Sequence, residues 1–418
     1  MKNSLKKTAL LTVIAALIFN FTVLAKVSSQ ASSYISVRDY IKNIVETTKL
    51  SVDQTKEEPY ITAAISAGLV TEGEFTNYNS NIINEDAAVL ANRADELLHG
   101  SAYNEKLYHD IEDKKRISDL NKVSKEKQDE VIKVFQKGIM IGSSNGAYTH
   151  DRTFKGKTKL KSSDVAGILK RVKIKSSRYN ISPDGQVIRT TKLPKNYKSY
   201  DYILASFPNS FYEEKFVYQT RKGGGTPANL EDYASPKDLK KMTMNIYDNE
   251  YKLSDILEKY QDKWCEKVEK NLSYRLNVNY KTIDDKWIKG LRNTYPIFND
   301  ESMDSDYKKV ISNYVSRAKK NKIIIKSSQI SVEPSTMYYC SGMGYMVRCY
   351  VKFKVTSANK FYSFSSGDQD LMIYGTDVYL DGLKKNSWYE ATFDVGLTGN
   401  SMTDIGNGYA VTTDWLYR

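Results

Sequence analysis

The chain has 418 residues but only three histidines and three cysteines. So few histidines leave little for His-based catalysis or metal binding. Three cysteines exclude a disulfide-dense scaffold and any four-cysteine zinc site. With 8 prolines and 22 glycines, collagen-like and proline-rich stalk architectures are excluded too. The hydrophobic share of 40% and charged share of 27% exclude a polytopic membrane protein and a wholly disordered chain. What is abundant is tyrosine, at 32 against 13 Phe and 4 Trp. Tyrosine suits half-buried strands and stacking on polar ligands. The formal charge is +12, so the partners to expect are anionic.

Lys2, Lys6 and Lys7 precede an uncharged, mostly apolar run from Thr8 to Leu24, and Val23-Leu24-Ala25 offers a cleavage site. The pattern predicts a signal peptide over residues 1–25. A retained anchor is the alternative, since the run is near the lower spanning limit of roughly 17 residues. Asn20 and Thr22 interrupt the run and favour cleavage. The segment carries three lysines, so its removal leaves +9. An exported basic protein meets acidic wall polymers, not cytosolic nucleic acid. No membrane span is expected after cleavage.

All four tryptophans and all three cysteines lie in the second half, and all three histidines in the first. Turn chemistry at Ser176-Ser177 and Ser182-Pro183-Asp184-Gly185 marks the change. The expected division is a helical domain over 26–175, an α+β domain over 176–320 and a β-rich domain over 321–418. The tract Arg221–Pro227, with three consecutive glycines, reads as a loop, because no Lys-Ser/Thr helix start follows it.

The helical region contains a repeat. Pro59–Val70 predicts a short helix that ends at Gly68, and Val131–Met140 repeats it with Gly138 in the same place. A second helix follows each time, over Ile82–Leu90 and Leu160–Leu169. A further copy of that second helix stands alone at Ile35–Val45, where Ser36 and Asp39 resemble a capping box. No single unit buries its apolar stripe alone, so the copies are expected to pack together. Residues 99–120 read as an insertion.

These residues resemble S-layer homology (SLH) repeats over roughly 35–172. The parts that carry the resemblance are the helix endings "AGL" and "KGI", the stretch Gly142–Tyr148 and the helix Glu85–Arg93. The resemblance implies an all-α bundle and non-covalent attachment to an anionic secondary cell-wall polysaccharide or peptidoglycan. It implies a Thr-Arg-X-Glu-like helix start whose arginine faces the polymer. Here Val37, Asn84 and Ser162 stand at the arginine position, while Asp39, Asp86 and Asp164 keep the acid. Those acids are expected as helix-cap residues. Arg38 and Lys161, one position away, are candidate polymer contacts or merely solvated charges.

Beyond residue 175, the apolar stripes Trp264/Val268/Leu272 and Tyr307/Val310/Ile311/Tyr314/Val315 read as core helices, and Thr282 as the cap of a helix carrying Trp287, Ile288 and Leu291. From Asn321 the period becomes two. Tyr345, Val347, Cys349, Val351, Phe353 and Val355 alternate with Met346, Arg348, Tyr350, Lys352 and Lys354, predicting one buried and one solvated face. Further strands fit Leu371–Tyr379, Trp388–Val395 and Tyr409–Trp415, with a turn at Gly396–Asn400. The expected fold is multidomain: an SLH-like helical bundle, then an α+β region ending in an antiparallel sandwich or open sheet.

No His-Glu-X-X-His motif, Gly-X-Ser-X-Gly elbow or P-loop occurs, and no histidine follows the cysteines. No catalytic residue, cofactor or metal is assigned. Two readings stand. One is a non-catalytic surface protein whose C-terminal region binds glycan, peptide or a like subunit. The other is a tethered wall-remodelling glycosidase, with its carboxylates among pairs such as Asp284-Asp285, Asp300-Glu301 and Asp368/Asp370. A hairpin turn at Ser341–Gly344 puts Cys340 and Cys349 out of register, so free thiols are expected.

Overall fold

The computed structural model describes residues 33–215, 233–246, 249–295, 301–340, 344–359, 376–378, 384–399 and 409–417. The signal-peptide reading, the glycine tract and the pair Asp368/Asp370 lie outside them. The fold is mixed α and β, with an antiparallel sheet in the C-terminal part. The chain divides into two compact units. The first takes Met1–Tyr108, Ser118–Gly142 and Phe154–Tyr179, and the second His109–Ile117, Ser143–Thr153 and Asn180–Arg418.

The first unit is helical: α1 (Val37–Thr48), α2 (Pro59–Ser66), α3 (Asn84–His99), α5 (Gln128–Gln136) and α6 (Ser162–Lys173), with α4 (Glu105–Asp113) split between the units. Helix α1 starts where Ser36 caps it, its hydroxyl accepting the Asp39 N–H at 3.0 Å. Its buried residues Val37, Tyr40, Ile41, Ile44, Val45 and Thr48 recur at helical spacing. Pro59 opens α2 from a position whose N–H would be orphaned in any helix.

Helices α2 and α5 close in the same way. Gly68 at φ +72° and Gly138 at φ +66° take the left-handed conformation. The following N–H groups turn back, Leu69 to Ala64 O and Ile139 to Val134 O, both at 2.9 Å. An arginine from the next helix covers each turn. Arg93 Nη1 donates to Leu69 O at 3.1 Å and Arg171 Nε to Ile139 O at 2.7 Å.

Helices α1, α3 and α6 are entered through extended segments whose backbones form a closed ring. Ile35 N–H donates to Leu160 O at 3.3 Å, Leu160 N–H to Ile82 O at 2.9 Å, and Ile82 N–H to Ile35 O at 3.0 Å. Their three side chains are buried. The first helical N–H groups continue the pattern, Val37 to Ser80 O at 2.9 Å, Asn84 to Thr158 O at 2.9 Å and Ser162 to Ser33 O at 3.1 Å. The unit therefore has pseudo-threefold order. Helix starts that would leave N–H groups unsatisfied are satisfied by a neighbouring copy. This explains how Ile83 and Lys161 precede α3 and α6 without a capping side-chain bond.

Among the described residues the second unit holds the helices α7 (Asn209–Glu213), α8 (Pro236–Leu239), α9 (Leu253–Leu276), α10 (Asp285–Arg292) and α11 (Glu301–Lys320). Its strands are β1 (Ser143–Ser144), β2 (Arg152–Thr153), β3 (Tyr233–Ala234), β4 (Thr243–Ile246), β5 (Asn249–Lys252), β6 (Ile324–Val332), β7 (Tyr338–Cys340), β8 (Gly344–Ser357), β9 (Thr376–Val378), β10 (Tyr389–Gly399) and β11 (Tyr409–Tyr417). The main sheet runs β3-β7-β8-β10-β11-β9, with β6 also on β8. Among the described residues only the β9–β11 pair in it is parallel. It is a single open sheet among the described residues. Its inner face on β8, from Tyr345 to Val355, packs with Trp264, Val268 and Leu272 of α9 and Ile311, Tyr314 and Val315 of α11.

The outer face departs from the period-two expectation. Met346, Arg348 and Tyr350 are 0%, 1% and 4% exposed. Residues Tyr200, Ile203, Leu204, Phe207, Phe211 and Tyr212 cover them. Strand alternation records which residues share a face, and it carries no sign of an irregular segment packing on that face from elsewhere in the chain. That segment, which reads as a strand over Tyr202–Phe207, makes one bridge, Ile188 to Leu204. In the loop Ser143–Thr153, Tyr148 takes φ +60° and stacks flat on Tyr350, centroids 3.6 Å apart.

Three smaller expectations are also corrected. Asp284, not Thr282, caps α10, accepting the Trp287 N–H at 2.8 Å. Gly396–Gly399 lies within β10, and the irregularity there is a register shift at Gly396/Leu397. The β7–β8 hairpin pairs Cys340 with Gly344, leaving a three-residue connection. Cys349 then lies five residues further along β8, about 17 Å away. It sits buried between Val332 and Phe393.

Two predictions follow from this packing. A Cβ on Gly138 would meet the Tyr179 carbonyl oxygen at 2.0 Å, whereas one on Gly68 meets nothing within 4 Å. Gly68→Ala should cost about 1 kcal/mol, for its positive φ alone. Gly138→Ala should cost more than about 2 kcal/mol, read in denaturant melts. Equal losses would contradict the Tyr179 contact. For the cysteines, alkylation under denaturing, non-reducing conditions should label Cys265 and Cys349, whose thiols are buried in the fold. A Cys340–Cys349 linked peptide would overturn the β7–β8 register.

Candidate functional site

The rim of the three-segment ring gathers most of the residues singled out by sequence. Asp39, Asp86 and Asp164 occupy the third helical position of α1, α3 and α6. A carboxylate there is favoured by the helix dipole. Asp39 accepts from the Ser36 hydroxyl at 2.7 Å, Asp86 from Lys127 Nζ at 2.6 Å and Asp164 from the Ser163 hydroxyl at 3.3 Å.

Arg38 and Lys161 differ in their surroundings. The Arg38 guanidinium pairs with Glu58 and donates to Asn79 Oδ1 at 3.1 Å. Its charge is therefore largely spent inside the chain. Lys161 is exposed, and its backbone bridges Tyr34. No acid lies within ion-pair distance of its ammonium among the described residues.

The counterpart of Arg38 in α3 is Glu85, fully buried. It accepts from the Ser124 hydroxyl and from Lys157 Nζ, each at 2.7 Å. Burial alone would raise its carboxyl, but the hydrogen bonds from Lys157 and Ser124, with the Lys157 charge, hold it below the usual carboxylate range. Lys127 is likewise opposed by burial yet raised by Asp86 and Glu85.

Sequence reasoning passed over Lys155, Lys157 and Lys159, which with Lys161 are exposed on the segment that leads into α6. The signal was present: lysine at every second position from 155 to 161. Leu160 is buried in the ring and fixes Lys159 and Lys161 on either side of it. Lys159 Nζ lies 5.9 Å from the Tyr34 ring centroid. The first helical N–H groups are already bonded to neighbouring carbonyls, so they are not available to an anion. Attraction for an anionic chain comes instead from the side chains of Lys155, Lys159 and Lys161. Charges this exposed act over roughly one Debye length.

In the second unit, the titratable clusters hold the fold. Asp184 accepts from Arg116 Nη2 at 2.7 Å, from the Ser182 hydroxyl at 2.5 Å and from Gln186 Nε2 at 2.7 Å. Burial and the Arg116 charge push the neighbouring His150 down to about 4, so its ring is neutral at pH 7. Buried Arg348 donates to Asp394 Oδ1 at 2.8 Å and to the carbonyls of Phe211, Glu214 and Lys215 at 3.0, 2.8 and 3.0 Å. Of the carboxylate pairs, Asp284 is engaged as a cap beside Asp285, Asp300 lies outside the described residues, and so does the Glu301 side chain. Among the described residues no three His, Cys, Asp or Glu groups are arranged to hold a metal, and no helix is long and apolar enough to cross a membrane.

Comparison with protein-family models, with curated proteins and with solved structures finds no match.

Glu333 supplies a test. It is fully buried, with the Ser335 hydroxyl at 2.7 Å, and burial pushes its carboxyl up to about 8 despite that bond. The folded chain then holds a proton there that the unfolded chain releases near the ordinary value of about 4.5. Stability from this group is full below that ordinary value and falls as pH rises towards 8. Glu333→Gln should therefore flatten the decline between pH 5 and 8 and raise stability at pH 8 by about 1–3 kcal/mol. An unchanged pH profile would show that Glu333 is not protonated in the fold.

Proposed function

We propose that the chain is a secreted, non-catalytic cell-surface protein. It is held at a bacterial wall by degenerate SLH-like repeats, and its C-terminal region binds a ligand outside the cell. The single observation that carries this reading is the closed ring of three repeated helix entrances, with exposed lysines on its rim. A wall polymer is anionic, extended and repetitive, and a row of ammonium groups suits it without a deep pocket. The contacts are Lys155, Lys159 and Lys161 rather than Val37, Asn84 and Ser162, at which the resemblance would place arginines. Arg38 contributes little, because Glu58 already neutralises it. The partner class is an anionic secondary wall polysaccharide or the anionic groups of peptidoglycan.

The test is co-sedimentation of the chain lacking residues 1–25 with purified cell-wall sacculi. Retention should drop steeply between 0.1 M and 1 M salt, as the Debye length falls from about 10 Å to about 3 Å. Replacing Lys155, Lys159 and Lys161 together by Gln should weaken retention at 0.1 M salt by about tenfold or more, and Arg38→Gln by less than about threefold. Retention that survives 1 M salt, or ignores the three lysines, would refute this form of attachment.

A further inference from the structure

The outer face of the main sheet is buried over Met346–Tyr350, whereas beyond it Lys352 and Lys354 are half-buried and Lys326 is exposed. The register of that end is fixed on three strands. Lys352 stands opposite Glu390 on β10, and the two pair at 2.6 Å. One step further along the same face, Lys354 stands directly opposite Lys326 of β6. Trp388, immediately before β10, is 44% exposed, and the Lys354 ammonium sits 4.5 Å from its ring centroid. No acid lies within ion-pair distance of Lys326 or Lys354 among the described residues.

Like charges directly opposite on one sheet face repel and destabilise the pairing. The same face satisfies the rule at Lys352–Glu390 and breaks it at the next position, beside an exposed indole. A local rule broken on a rigid element, with no acid to compensate it among the described residues, marks a candidate place for an external anion. Two ammonium groups call for an anion between them. An indole with one side towards solvent offers a flat apolar surface to the C–H face of a sugar ring, and its attraction for the adjoining cation holds Lys354 in place.

We propose that Lys326, Lys354 and Trp388 form a binding site for an anionic saccharide, a sugar ring carrying a carboxylate or phosphate. The anionic group lies between the two lysines and the ring lies against Trp388. This deepens the reading of the C-terminal region as ligand-binding and is independent of wall attachment through the ring lysines.

The test is calorimetric titration of the chain lacking residues 1–25 with a galacturonic-acid hexasaccharide. Cellohexaose serves as the neutral sugar and hexaglutamate as the acidic peptide. The uronic hexasaccharide should bind saturably and at least about tenfold more tightly than either control. Trp388→Ala and Lys354→Gln should each weaken it by about tenfold. Lys326→Glu should weaken it as much while raising the thermal midpoint, because the new acid pairs with Lys354. Loss of binding together with gained stability is an outcome that a purely structural role would not give. All titrations are made in a background carrying Lys155→Gln, Lys159→Gln and Lys161→Gln, so that binding at the ring lysines is absent from the readout, and sacculus retention is measured separately on the chain with those lysines intact. The proposal is overturned if no saturable binding of the hexasaccharide occurs, if hexaglutamate binds equally well, or if the Trp388 and lysine variants bind like the parent.

Discussion

Three helices of the first unit begin without a shared capping side chain, and this is the constraint its architecture answers. A helix start leaves backbone N–H groups that must find acceptors. Ser36 supplies a side-chain acceptor to α1, but Ile83 and Lys161 supply none to α3 and α6. The acceptors come from the backbone of the neighbouring copy, in a cycle that closes after three steps. Ile35, Ile82 and Leu160 bury their side chains at the points where the segments meet. No copy can complete its own helix start, so the repeats hold together through the backbone as well as through their apolar stripes. The same closure uses up the helix-end donors and leaves the lysines of 155–161 as the feature presented outward.

The second unit depends on a comparable accommodation at Arg348. Strands β6 and β7 both lie against β8 and are separated by the short turn Pro334–Thr336, so the register shifts between them. At the shift, Arg348 donates its N–H to the Thr336 hydroxyl at 3.0 Å and accepts the Glu333 N–H at 3.1 Å. Its side chain reaches Asp394 and three carbonyls at 211–215. Removing one partner from a buried ion pair of this kind typically costs about 3–5 kcal/mol. The arginine therefore fixes the covering aromatic segment to the sheet, and where that segment ends the row of Lys326, Lys354 and Trp388 begins.

Much of the helical unit is legible because its signals are local. The Ser36–Asp39 start, Pro59 at a first turn and the glycines at 68 and 138 each act within a few residues. The helix faces carrying Trp264, Val268 and Leu272 follow from spacing alone, as does the inner face of β8. The site was less legible. Lys161 lies on the exposed rim, but Arg38 pairs with a residue twenty positions away that no motif connects to it. Lys155, Lys157 and Lys159 were visible as an alternation, yet nothing local says that the segment carrying them is pinned at Leu160.

The order of residues along the chain is enough to set the elements and the composition of their faces, because helix caps, glycine turns and periodicity are short-range physics. It determined that Tyr345–Val355 shares one face and Met346–Lys354 the other. Only tertiary structure decided that both faces are covered over part of their length, since Tyr200–Tyr212 reaches the sheet from far along the chain. Only tertiary structure set Lys326 opposite Lys354, because register depends on a strand pairing and its irregularities. And only tertiary structure closed the ring of Ile35, Ile82 and Leu160, in which each hydrogen bond joins residues at least 47 positions apart.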